Sequence, residues 1–323
     1  MTRFLIRRIS QGLFVLLLIT FTIYAIFFLG PGPQQVARVL AGKEATPAQI
    51  AAIAAHFELN QPWYVAYGHF LAQIFFHANL GYDYYNSVPV TTSIMQALPI
   101  TLSLVVGAAI LWLAIGLFTG IVSAVKTRSF ADRALTAQAL LFYSMPTFVL
   151  GLLFIWIGYS ILTNHGVAIF PAPGAYTPFT TNPLAWAHDL ILPWLTIALV
   201  SAATYTRLTR GAMLDVFGED YIRTARSKGM PERRVIVVHN LRSSLTPVVT
   251  QFGLDVGVLL GGAIITEFVF SLPGLGWTAI KAIQSQDLPL VMGITLVAAV
   301  AVVVLNMLAD IMYAVLDPRV RIH

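Results

Sequence analysis

Residues 221–242 read YIRTARSKGMPERRVIVVHNLR, a dense run of positive charge in a chain of 323 residues that is 58% hydrophobic and only 10% charged. The sequence on both sides of this run is too apolar for water. Mean hydropathy is +0.78, far outside the soluble range, so a bilayer must be the main solvent. Crossing about 30 Å of hydrocarbon takes roughly 20 apolar residues. Six stretches qualify: 9–29, 98–125, 134–163, 190–206, 247–270 and 288–309. Each is continuously apolar over several helical turns and does not alternate at every second residue, which argues against a membrane barrel. The fold class expected is an all-α polytopic membrane protein with six transmembrane helices.

Lys and Arg fall almost entirely on one side of these spans. Arg3, Arg7 and Arg8 precede the first; Lys126, Arg128 and Arg133 lie between the second and third; the quoted run lies between the fourth and fifth; Arg319 and Arg321 follow the sixth. Only Arg38, Lys43 and Lys281 lie on the other side. Positive charge collects in cytoplasmic loops, so both termini and the basic run are expected in the cytoplasm. A secretory signal peptide is the competing reading of the first span. Its apolar run exceeds the roughly 7–15 residues of a signal core, and GPGPQQ offers no small-x-small cleavage site, so it reads as a retained helix.

This divides the chain into residues 1–29, an N-terminus and first span; 30–97, an external helical subdomain; and 98–323, a five-helix core with the cytoplasmic loop 207–246. In the subdomain, Thr46 is placed to cap a helix that starts at Pro47, and PWYVAYGHFLAQIFF (62–76) is an aromatic amphipathic segment suited to the membrane interface. The loop 164–187 holds four prolines and reads as a packed lid without a catalytic signature. With no cysteine, disulfides and thiolate metal sites are excluded.

Within the basic run the punctuation is specific. Gly218, Glu219 and Asp220 suit a helix start, where the dipole favours carboxylates. Lys228 closes the turn, Gly229 is a stop signal, and Pro231 with Glu232 can open a second helix at once. A short helix, a sharp bend and a second helix running into the fifth span are therefore expected. Tyr221, Ala225 and, less closely, Ile222 are expected on one face, as a small apolar knob for a partner's groove, with Arg223 and Arg226 pointing elsewhere. Attachment to the membrane surface is the competing use of such a segment.

RTARSKGMPERRVIVVHNLRSSLTPVV (223–249) resembles the cytoplasmic signature of permease subunits of ABC importers, and DYIRTARSKG (220–229) is close to the peptide branch's DYVRTARAKG. RFLIRRISQGLFVLLLIT (3–20), LNQPWYVAYGHFL (59–71), NLGYDYYNSVPVTTSI (79–94), FVFSLPGLGW (268–277) and YAVLDPRVR (313–321) resemble other segments of the B-type permease subunit of oligopeptide and dipeptide importers. Two departures stand out: Arg223-Thr224-Ala225 replaces the general Glu-Ala-Ala, and His239 stands where an aliphatic residue is usual. The resemblance implies the type I ABC importer permease fold in a bacterial cytoplasmic membrane, forming half of a peptide pathway; relatives that take nickel chelates or glutathione are the alternative. The implied partners are a homologous C-type permease, one or two cytoplasmic ABC ATPases, an extracytoplasmic peptide-binding protein and membrane lipid, with no nucleic acid. It also implies that Glu219, Asp220, Tyr221, Arg223, Thr224, Ala225, Lys228, Gly229 and Pro231 form the coupling segment that meets the ATPases.

The chain itself lacks a phosphate loop: the one lysine after a glycine, Lys43, has Ala37 and Glu44 where G-x-x-x-x-G-K-[ST] needs Gly and Ser or Thr. No cofactor is expected in this chain, and ATP and Mg would be bound by the ATPases. In the fifth span Gly253, Gly257 and Gly261 repeat every four residues, a spacing for close helix approach. Asp255 and Glu267 share that span, and intramembrane carboxylates face a cavity or a partner. Glu267 is expected to support the SLPGLG turn through hydrogen bonds, Asp255 to line the pathway or a helix contact, and Asn306 and Asp310 to pack or gate. Pro146 and Pro193 are expected to kink the third and fourth spans.

Other functions fit less well. Ser160 after Gly158 is reminiscent of intramembrane serine proteases, but the last two spans hold no His base. No His is followed by Glu, so the H-E-x-x-H zinc pattern is absent. A secondary carrier would show repeated halves and paired midplane charges, and the halves of this chain do not resemble each other.

Overall fold

The computed structural model describes residues 2–30, 32, 35, 37–38, 45–56, 61–77, 79–83 and 88–316. The chain forms two compact units, residues 1–98 with 278–307 and residues 99–277 with 308–323.

The first unit contains α1 (Thr2–Tyr24), which continues as a π-helical turn over Ala25–Leu29, then α2 (Pro47–His56) and α3 (Trp63–His77). A capping box starts α2: Gln49 N–H donates to Thr46 Oγ1 at 3.4 Å, and Thr46 N–H donates back to Gln49 Oε1 at 2.8 Å. Pro47 takes the first helical position, as expected from the sequence. Rings hold α3 on α1. Phe21 meets Tyr67 edge-on at 5.5 Å, Tyr24 lies 5.7 Å from Phe70, and Thr20 shares a 3.0 Å hydrogen bond with the Tyr67 hydroxyl. Each such ring pair contributes about 0.5–1.5 kcal/mol beyond burial. Trp63, Tyr64, Phe75 and Phe76 are left exposed on α3, the arrangement of an interfacial helix.

One element departs from the all-helical expectation. Strands β1 (Tyr82–Asp83) and β2 (Val88–Pro89) pair antiparallel, and the buried Asp83 accepts from Ser93 Oγ at 2.7 Å just beyond them.

Three further helices follow in chain order: α4 (Val90–Val125), which starts in the first unit and continues in the second, α5 (Phe130–Ser144) and α6 (Thr147–Phe154), the last extended by a π-helical stretch (Ile155–Ile161) and a final turn (Leu162–Asn164). The third expected span, 134–163, is thus two helices. Pro146 breaks it outright where a kink was expected: Met145 is extended at φ −87, ψ 128, as the residue before proline prefers, and Pro146 caps the next helix. Pro193, by contrast, lies inside the continuous α7 (Pro183–Phe217), whose N-cap Asn182 accepts from the amides of Leu184 and Ala185. Close approach between α4 and α7 is made by glycines on α4. A side chain on Gly107 would fall on the Trp194 indole, one on Gly116 would stand 3.1 Å from the Ala202 carbonyl, and one on Gly120 would stand 2.9 Å from that of Thr206.

The rest of the chain is α8 (Asp220–Ser227), the short α9 (Glu232–Arg234) passing through a π-helical stretch (Val235–Asn240) into α10 (Leu241–Val269), then α11 (Leu275–Ser285) and α12 (Leu288–Leu316). The Pro-rich loop before α7 is pinned within its own unit by Gly174 N–H donating to the Phe270 carbonyl at 2.7 Å. Among the described residues, Val90–Val125, Thr147–Asn164, Pro183–Phe217 and Leu288–Met307 are long and apolar enough to cross a membrane, with Ile9–Tyr24 a shorter apolar helix.

Candidate functional site

The basic run folds as a helix–bend–helix corner. Gly218 ends α7 rather than starting α8, whose N-cap is Glu219 with Asp220 in the first turn. The end of α8 is a Schellman motif: Met230 N–H donates to the Ala225 carbonyl (3.3 Å) and Gly229 N–H to that of Arg226 (2.9 Å), with Gly229 at φ +73. Nothing lies within 4 Å of the position a Gly229 Cβ would occupy, so glycine is needed there for its backbone alone. Pro231 then caps α9.

The faces of α8 differ from expectation. Ile222 and Ala225 are buried and pack on Val235, with Val216, Phe217 and Met230 around them. Tyr221 is exposed, and its hydroxyl donates to Ser243 Oγ at 3.1 Å. The apolar pair fastens the corner to its own chain, because in a helix of eight residues the adjoining Phe217 and Val235 already supply the groove. The outer surface is Tyr221, Arg223, Thr224, Lys228, Arg233 and Arg234. Arg226 is spoken for: it forks onto Glu232 at 2.6 and 3.2 Å and lies over the Phe217 ring. That pairing raises the Arg226 pKa and lowers that of Glu232.

Below the corner, buried side chains tie its two flanking helices. Asn240 Nδ2 donates to the Met213 carbonyl at 3.0 Å, and Ser244 Oγ lies 3.3 Å from that of Ala212. Further along α7, Arg210 forks onto Asp132 of α5 at 2.8 and 3.0 Å. Asp132 also accepts from Ser123 Oγ of α4 and from the Arg128 amide (2.8 Å). Arg210 and Ser123 hold the Asp132 carboxyl well below the usual carboxylate range. Sequence reasoning gave no role to Asp132, Arg210, Asn240 or Ser244.

The other end of α10 carries the second carboxylate of interest. Glu267 is fully buried; Oε2 accepts from the amides of Gly276 (2.7 Å) and Trp277 (3.1 Å), and Oε1 accepts from Thr101 Oγ1 (2.6 Å). Thr101 in turn accepts from the Leu275 amide at 2.8 Å. The carboxylate therefore satisfies the open amides at the start of α11 and holds the turn through Ser271 and Gly274. Asp255 is partly buried in a contact between α7 and α10, accepting from Tyr205 hydroxyl (2.8 Å) and Gln251 Nε2 (2.9 Å). Trp112 closes this contact against Tyr205 and Phe252. Asn306 is exposed on α12. The surroundings of Asp310, Gly257 and Gly261 lie outside the described residues; Gly253 lies on α10, half-buried. Close glycine contacts between long helices that the structure does describe include those of α4 against α7 and that of Gly293 on α12, where a Cβ would stand 2.5 Å from Val90.

Comparison with known proteins agrees along the whole chain. Residues 113–322 match the family described as binding-protein-dependent transport system inner membrane component, and residues 1–105 match its N-terminal region. A candidate peptide transport system permease protein of Brucella abortus is 37% identical over 99% of both chains. The dipeptide transport system permease protein DppB of Escherichia coli is 36% identical, again over 99% of both. Among solved structures, a chain of the MetNI methionine ABC transporter in an inward facing conformation superposes with a TM-score of 0.52 at 16% identity, covering 70% of this chain and 96% of that one. A chain of an amino acid ABC transporter gives 0.52 at 19% identity, covering 69% and 94%. At such identities the structures speak to fold alone, and the fold is that of ABC importer permeases of type I. With both parts of its length matched and full-length relatives above 35% identity, the chain belongs to the family of inner membrane components of binding-protein-dependent transport systems.

Proposed function

We propose that this chain is the permease subunit of an ABC importer of dipeptides and oligopeptides, spanning a bacterial cytoplasmic membrane six times with both termini inside. The full-length identity to peptide permeases carries the substrate class. The corner at residues 219–231 supports the mechanism: it is exposed and basic, and its apolar side is already fastened to α7 and the stretch before α10. A cytoplasmic ATPase meeting Tyr221, Arg223, Thr224 and Lys228 would push on a corner fastened in this way. ATP and Mg would be held by that partner, and a homologous permease would supply the other half of the pathway. Glu267 acts as a structural carboxylate at the turn before α11, and Asp255 as a contact between α7 and α10.

The test is co-purification in mild detergent followed by mass spectrometry, for wild type and Gly229→Pro. Proline at 229 cannot take φ +73 and removes the amide that bonds Arg226. The expected outcome is a second permease, one or two ATPases and an exported binding protein with wild type, with the ATPases lost from the variant. Isolation of wild type alone or only with itself would overturn the reading. A binding protein that carries a nickel chelate or glutathione would keep the importer and replace its substrate.

A further inference from the structure

Residues 219–231 join α7 directly, so whatever displaces this corner must reach the other helices through side-chain ties. The ties at Asn240 and Ser244 run between α7 and the segment leading into α10. Toward α4 and α5, a tie is made at Asp132. Its carboxylate is 7% exposed and receives the Arg210 fork, the Ser123 hydroxyl and the Arg128 amide, while its own amide donates to the Ser129 hydroxyl at 3.2 Å. These groups come from the end of α4, the connection after it, the start of α5, and α7 two turns before the corner. Arg128 is held at φ 63, a left-handed conformation uncommon for a residue with a side chain, and the Asp132 carboxylate bonds that same amide. A bidentate Arg–carboxylate pair fixes orientation as well as distance.

We propose that Asp132 is a positioning residue for transport: it locks the near ends of α4, α5 and α7 into one block, so that displacement of residues 219–231 moves all three together. This rests on the reading of 219–231 as the ATPase-facing segment. Substrate contact is no part of the role.

The full transporter, purified with its partner subunits and reconstituted in vesicles, provides the test, with radiolabelled dialanine as the probe. Asp132→Asn is expected to keep the ATPases bound and hydrolysing while ATP consumed per dipeptide imported rises about tenfold, within the range of ordinary coupling energies. A merely stabilising role would lower import and hydrolysis in the same proportion, and that result overturns the proposal. Because this chain has no cysteine, spin labels on it are confined to Arg133→Cys on α5 and Asp215→Cys on α7, both exposed, once any reactive cysteines of the partner subunits are replaced. The distance between them is expected to be narrow and unchanged between nucleotide-free and ATP-trapped states, and to broaden with Asp132→Asn. If Asp132→Asn does not assemble, Arg210→Lys keeps the charge without the fork and is expected to act in the same direction. A narrow distance and a wild-type ratio in that variant overturn the proposal while leaving the corner's ATPase contact intact. If wild type fails to retain any ATPase, the reading of 219–231 falls first.

Discussion

The segment from Glu232 to Val269 is entered and left by a sharp turn, and the two turns are built in opposite ways. The exposed one is set by backbone, Gly229 in the left-handed region and a Schellman pair of hydrogen bonds, with the Ile222–Val235 contact beneath and the Arg226–Glu232 fork across its surface. The buried one uses a side chain. There the left-handed position is Ser271, at φ 54, and the turn is held by one carboxylate that collects two amides and a hydroxyl. Solvent can complete hydrogen bonding at the first turn, whereas the fully buried Glu267 carboxylate needs partners from the protein itself. The lesson is that the exposed corner is shaped by its backbone and leaves its polar side chains at the surface, paired or not, whereas the corner around Glu267 depends on one buried side chain for its shape.

Breaking the buried corner should cost most. Glu267→Ala leaves the buried Gly276 amide and the partly buried Trp277 amide without this acceptor, at about 1–3 kcal/mol for a fully buried group, so thermal unfolding in detergent should fall by the equivalent of about 2–3 kcal/mol. Glu267→Gln should fall part of the way. A drop with Glu267→Ala no larger than that of an exposed substitution would contradict the comparison. Removing the Asp132 pair comes next, and pH sharpens it. The carboxyl's folded pKa lies below its unfolded value, so the pair stabilises above the unfolded pKa, roughly 3.9, and the stabilisation is lost as pH falls through the lowered folded value. The difference in unfolding temperature between wild type and Asp132→Asn should therefore be constant from neutral pH to about pH 5 and shrink in stronger acid.

The exposed corner should yield smaller effects. Gly229→Ala meets no neighbour, so its cost should be that of the left-handed backbone, about 1 kcal/mol, and should surface in ATPase co-purification more than in unfolding temperature. Smallest is Glu232→Gln. The Arg226–Glu232 pair is 43% and 55% exposed, and exposed pairs contribute a few tenths of a kcal/mol. The lowered Glu232 pKa gives the same sign as at Asp132, with stabilisation lost on acidification. Added salt should erase this effect and leave the Asp132 effect largely in place.

What was legible in the sequence was local. Thr46, Pro47 and Gln49 specify a helix start within four residues, and Gly229 with Pro231 specifies the bend within three. The family signature lies in the same short window, so the fold followed with it. The turn-supporting role of Glu267 could be anticipated because an intramembrane carboxylate beside SLPGLG has open amides near it in sequence. Its bond to Thr101 spans 166 residues and could not. Asp132 and Arg210 are 78 residues apart, each an ordinary charge near the end of a span until the fold brings them together. The face of α8 was misjudged because its neighbours, not its own period, decide which side is inner. The break at Met145–Pro146 was hidden by hydropathy that stays high on both sides, although the backbone rule for a residue before proline already pointed there.

The three glycines of α4 bind the histories of two helices. An alanine at 107 collides with the Trp194 indole, and side chains at 116 and 120 run into the Cβ atoms of Tyr205 (2.5 Å) and Thr209 (2.6 Å) and then the carbonyls of Ala202 and Thr206 on α7. Variation at 107 is admissible only with a smaller residue at 194, so those two positions should change together across related permeases. Positions 116 and 120 meet the Cβ atoms of Tyr205 and Thr209, which only glycine there would remove, and behind them carbonyls that no substitution can shrink, so a compensating exchange is far harder to make.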